Sequence, residues 1–167
     1  MDQSQKRIIA VLASLIVVAL LVLLGASIVR VNNARAGNFT PPPFDEAAVV
    51  GAPEALDAAL NYRPILVEGA FSASMCFNLT AKDGKVDLYF TNAPENTVWL
   101  TASVFDASGA LLGETGILRP GEYVQTLTLN KQPSAAQNVT VRIRAYEPDT
   151  YYSKGFANGS LILNVSD

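Results

Sequence analysis

The strongest constraint on this chain is the run from Ile8 to Val29: twenty-two consecutive residues without a charge, a proline or an amide side chain. As a helix rising 1.5 Å per residue it would extend about 33 Å, enough to cross a hydrocarbon core of about 30 Å. The remainder of the chain, from Arg30 onward, has a different, soluble composition. The expected organisation is a short cytoplasmic tail (1–7), a transmembrane signal anchor (8–29), a proline-containing stalk (30–63) and one extracytoplasmic domain (64–167).

The alternative is a cleaved signal peptide. Lys6 and Arg7 form a positive n-region, and Ala34-Arg35-Ala36 resembles a small-x-small cleavage site. Against cleavage, the apolar run exceeds the about 7–15 residues usual for an h-region. The site also lies beyond the run, behind Arg30 and Arg35. An uncleaved single-pass anchor in a cell membrane is therefore preferred, with secretion after cleavage near Ala36 as the alternative.

Two basic residues flank each end of the run, so the positive-inside count ties, and the N-terminal amine tips it toward N-inside. The C-terminal part carries eight basic against fourteen acidic residues, a net charge of −6, which agrees with a domain placed outside. Cys76 is the only cysteine, so there is no intramolecular disulfide framework. Small domains on an oxidising eukaryotic route usually carry disulfides, so a bacterial, Gram-positive cell surface fits better. Five N-x-S/T sequons (Asn38, Asn78, Asn138, Asn158, Asn164) pull the other way; they are read as coincidental, with glycosylation left open.

The proline triplet Pro41–Pro43 favours a stiff, extended spacer, and Pro53–Leu60 has the pattern of a short helix, with a flexible stretch as the alternative. From Pro64 the pattern turns to period two. Short apolar or alternating runs fall at 65–71, 75–79, 86–90, 98–105, 111–117, 123–129, 139–146 and 161–165. In the seventh, Val139, Val141, Ile143 and Ala145 alternate with Arg142 and Arg144, as a half-buried strand requires. Asp83-Gly84, Ser108-Gly109, Pro120-Gly121 and Asn158-Gly159 are turn dipeptides. The fold expected is mainly β: an Ig-like antiparallel β-sandwich of about seven to eight strands, preceded by the transmembrane helix. A closed barrel is the runner-up.

The chain has no histidine, which removes the commonest general base and zinc ligand together with any Ser-His-Asp or Cys-His mechanism. Cys76 has apolar neighbours and reads as a strand residue rather than a nucleophile. The carboxylates are scattered about one per turn or strand end. They form neither a D-x-D-x-D calcium cluster nor an evident pair for glycoside hydrolysis. No cofactor, no metal and no enzymatic activity are expected, and an acidic domain argues against nucleic-acid binding.

The most distinctive segment is 145–156. Tyr146, Asp149, Tyr151, Tyr152 and Phe156 fall in or beside a loop between the last two strands and form the candidate partner-contact site. Tyrosine offers large contact area at low entropic cost while keeping a polar tip. The competing reading packs Tyr146 and one of Tyr151 and Tyr152 onto the sandwich edge. Trp99 reads as a core or rim residue rather than a carbohydrate platform.

The stretches Met75-Cys-Phe-Asn-Leu-Thr80, Val86-Asp-Leu-Tyr-Phe-Thr-Asn92, Leu112-Gly-Glu-Thr-Gly116, Arg119-Pro-Gly-Glu-Tyr-Val124 and Ala145-Tyr-Glu-Pro-Asp-Thr-Tyr-Tyr152 carry a resemblance. With them, Ser74–Val165 resembles small Gram-positive, mostly clostridial, membrane-anchored β-sandwich surface proteins of uncharacterised role, some linked to conjugative elements. The resemblance implies fold, topology and compartment, and carries over no functional residue.

The expected function is a non-catalytic, membrane-tethered interaction module that binds a protein or cell-envelope partner through loops or an open sheet edge; self-association at an edge is a further expectation. The alternative is a structural or accessory subunit of a cell-surface assembly, either pilus-like or an envelope complex. A type IV pilin form of that idea is weak, because nothing acidic lies between Lys6 and Arg35.

Overall fold

The computed structural model describes residues 2, 40–54 and 56–166. Contacts divide the chain at Pro41/Pro42, and every strand and helical turn described belongs to the unit Pro42–Asp167. In chain order the strands are β1 (Val49–Val50), β2 (Tyr62–Val67), β3 (Phe71–Cys76), β4 (Leu79–Lys82), β5 (Lys85–Asn92) and β6 (Trp99–Asp106), then β7 (Leu111–Glu114), β8 (Glu122–Thr128), β9 (Gln137–Tyr146) and β10 (Ser153–Val165). A 3-10 turn, Ala58–Leu60, precedes β2. Asp57 caps it by accepting a hydrogen bond from the Ala59 amide.

The structure corrects the expected fold. The domain is mainly β, but its ten strands form one connected sheet rather than the two separate layers of a seven- to eight-strand sandwich. The order runs β1-β8-β5-β4-β10-β9-β6-β7, with β3 also on β5 and β2 on β3. The physical reason is a broken strand. β3 and β4 run one after the other along β5, at Ala73↔Asn92 and then Ala81↔Val86. After the break at Phe77–Asn78, β4 offers its other edge to β10, in parallel, at Leu79↔Leu163. That pair joins what would have been two sheets. The transmembrane helix is not supported either: no helix among the described residues is long and apolar enough to cross a membrane. The run Ile8–Val29 lies outside the described residues.

Alternation works as read in β9, where Val139, Val141, Ile143 and Ala145 are buried. Together with Leu79, Val86, Leu88, Phe90, Leu100, Val104 and Leu163 they fill the core. Each such large apolar side chain contributes about 1.5–3 kcal/mol on burial. Asp83 and Gly84 both take positive φ in the turn joining β4 to β5, as their chemistry predicts. Asn158-Gly159 is not a turn. It lies inside β10, whose ladder with β9 runs from Ser153↔Tyr146 to Leu163↔Gln137 and overrides the local preference. The expected stalk also contributes to the sheet. Phe44 bridges to Ile117, β1 pairs with β8, and β2 begins at Tyr62.

One buried polar hub fastens the β5–β6 connection. Asn92 donates from Nδ2 to the carbonyls of Val98 and Leu118, both at 2.9 Å. Its Oδ1 accepts from Asn96 Nδ2. A buried amide this fully paired costs little and specifies one geometry.

Candidate functional site

The loop between β9 and β10 is shaped by its own hydrogen bonds. Glu147 N donates to Tyr152 O at 2.8 Å and Tyr151 N donates to Glu147 O at 3.0 Å, closing a tight ring of backbone. Asp149 and Tyr151 both adopt positive φ (65° and 57°). Asp tolerates this conformation, whereas for a tyrosine it costs free energy that surrounding contacts must offset.

Those contacts are aromatic. Tyr151 meets Trp99 edge-to-face at 5.4 Å, and Trp99 meets Phe44 at 4.9 Å. The guanidinium of Arg119 covers the Phe44 ring at 3.7 Å. The result is a row of four side chains drawn from four distant segments, each ring pair contributing about 0.5–1.5 kcal/mol beyond its buried area. On the other flank Lys154 pairs with Glu147 at 2.9 Å. Lys154, and then Thr150, hold the Glu147 carboxyl below its usual range.

The five candidate residues therefore separate into two groups. Tyr146 is buried at 6% exposure, and Tyr151 is half-buried against Trp99; these two shape the loop. Asp149 is exposed at its tip. Tyr152 and Phe156 are 72% and 62% exposed. Phe156 stands on the outer row of β10 opposite Arg144. Sequence reading missed Phe44 and Arg119 as supports, since neither lies near the loop in the chain. Trp99 takes the rim position.

Chemistry elsewhere is sparse among the described residues. No group of three or more Cys, Asp or Glu side chains could hold a metal ion. The Cys76 thiol is buried, and burial together with the Asp87 carboxylate pushes it up to about 11, so at neutral pH it is a protonated apolar side chain. Asp106 sits below its usual range because Ser108 and the Ala110 amide bond its carboxylate, an ordinary turn arrangement.

A concave feature lies where the sheet fails to close. A crevice of about 180 Å³ opens between β2–β3 and β9–β10, lined by Ile65, Met75, Phe77, Ile143, Ala157 and Leu161 among others. Its walls carry no acid, base or thiol among the described residues, so what it offers is apolar contact.

No protein-family model matches the sequence, and no curated protein matches it. One solved structure similar to part of the chain is the crystal structure of CopC from Methylosinus trichosporium OB3b. That match has 19% identity and a TM-score of 0.33, and covers 62% of this chain and 94% of that one. At that score the likeness carries no argument about this chain.

Proposed function

We propose that Pro42–Asp167 is a non-catalytic extracytoplasmic interaction module that works at a membrane surface and binds a protein or cell-envelope partner. The observation that carries this reading is the exposure of Tyr152 and Phe156 beside a loop held rigid from both flanks. Exposed aromatic side chains on a fixed frame lose little conformational freedom on binding, which is how contact surfaces gain affinity. The lack of any histidine in the chain supports a non-catalytic role, and the composition of residues 8–29 supports work at a membrane.

The test is purification of the tagged full-length chain from its own host in mild detergent, with mass spectrometry of what accompanies it. A partner retained by the native chain and lost from the Tyr152→Ala, Phe156→Ala double variant is the expected result. Retention of the same partner by the double variant removes this surface from the reading, and a chain that purifies alone refutes the reading.

A further inference from the structure

The sheet is nearly closed on one side and open on the other. On the closed side, the Asn130 amide just after β8 donates to Leu112 O of β7 at 2.6 Å. On the open side, among the described residues, β2 bonds to β3 alone, and β10 meets β4 only at Leu163–Val165. An antiparallel strand directs alternate N–H and C=O groups to its neighbour. From Phe156 to Ile162, the groups of β10 that do not face β9 therefore point into the gap.

The two edges of this gap differ in chemistry. β2 carries Pro64, which has no N–H, and exposed Arg63, both of which blunt an edge against pairing. β10 between Gly155 and Ile162 has neither proline nor charge, and it exposes Phe156 and Ile162. Beneath the gap lies the apolar crevice. The small residues of β10 keep it open: a Cβ built on Gly159 would have nothing within 4 Å. Arginines stand on both faces beside it: Arg63 shares the row of Ile65 and pairs with Met75 on the crevice side, whereas Arg142 and Arg144 alternate with the crevice-lining Val141 and Ile143 and so stand on the outer face. Arg63 lies over the Phe77 ring at 4.4 Å, Arg142 donates to Asn158 at 3.0 Å, and Arg144 stands opposite Phe156. Among the described residues none of these three arginines belongs to an ion pair.

We propose that the β10 edge from Phe156 to Ile162 accepts an extended acidic peptide segment of a protein partner as an added strand. Alternate apolar side chains of that segment enter the crevice, and its carboxylates, on the opposite face, meet Arg142 and Arg144. Main-chain pairing supplies affinity, the crevice selects the apolar row and the arginines select the charge. This deepens the interaction-module reading and rests on it.

The probe is a fluorescein-labelled seven-residue peptide of alternating valine and glutamate, titrated against the purified full-length chain by fluorescence anisotropy. Its counterparts are the valine–lysine alternate and a valine–glutamate peptide with the valines in one block. The proposal expects saturable binding of the alternating acidic peptide, at least ten-fold tighter than either counterpart. Gly159→Val, whose Cβ would meet nothing within 4 Å, should weaken it at least ten-fold, and Ala157→Leu on the same row should do the same. Absence of saturable binding, equal binding of the lysine peptide, or unchanged binding by both crevice variants overturns the proposal. So does a dimer of this chain that occupies the edge and is not displaced by the peptide. If the peptide fails while the native partner is still captured through Tyr152 and Phe156, the edge proposal falls and the interaction reading stands; if no partner is captured either, both fall.

Discussion

Two buried threonines on neighbouring segments should respond to the same substitution with opposite signs. Thr101 on β6 is fully buried, and its Oγ1 has no hydrogen-bond partner among the described residues. Thr115, also buried, accepts a hydrogen bond from the Ala102 amide at 3.0 Å. An unsatisfied buried hydroxyl costs about 1–3 kcal/mol, and a buried methyl in its place adds about 0.8 kcal/mol. Allowing for local relaxation, Thr101→Val should stabilise the domain by about 1–2 kcal/mol, and valine suits a strand as well as threonine does. Thr115→Val instead leaves the Ala102 amide buried and unpaired, and should destabilise by about 1–3 kcal/mol. For a domain of this size the first change raises Tm by about 3–8 °C and the second lowers it by a similar amount. Thermal unfolding of the full-length variants, followed by near-ultraviolet circular dichroism, reads both. Destabilisation by Thr101→Val of more than about 0.5 kcal/mol would show that its hydroxyl is bonded, and would refute the reasoning.

Gly116 touches the segment that brings Phe44 to the site. A Cβ there would lie 2.5 Å from the Asp45 backbone, so Gly116→Ala should destabilise by about 1–3 kcal/mol. The Asp45 amide, which donates to Ile117 O at 3.0 Å, should exchange faster in that variant; unchanged exchange and Tm would contradict the close approach. Cys76 should resist alkylation at pH 8 in the native chain and react once unfolded. The unfolded thiol ionises near 9.0, while the folded one keeps its proton until about 11, so the unfolded state binds fewer protons in between. Stability should therefore fall as pH rises through that window. Urea midpoints at pH 8 and 10, compared with those of Cys76→Ala, isolate this contribution; an equal pH dependence in the two proteins would disprove it.

Sequence alone determined what depends on neighbours in the chain. The alternation in Val139–Tyr146 specified a half-buried strand, Asp83-Gly84 specified its turn, and the missing histidine bounded the chemistry. The tyrosine-rich loop was legible as a surface candidate because its composition is unusual. Which tyrosine would point outward was not: Tyr151 and Tyr152 are adjacent and identical in type, and only the approach of Trp99, with Phe44 behind it, decides that Tyr151 packs and Tyr152 is exposed. The tertiary structure likewise decided that Asn158-Gly159 extends a strand, since the long ladder with β9 outweighs a two-residue turn preference. It also decided that the layers join. Leu79 pairs with Leu163 across more than half the domain, and no local period records which distant edge a strand will meet. The open β10 edge is a consequence of that one parallel pairing, because β10 meets β4 only from Leu163 onward while β2 takes the place beside β3. Side-chain period and turn chemistry act over a few residues; edge pairing is selected by the packing of the whole core.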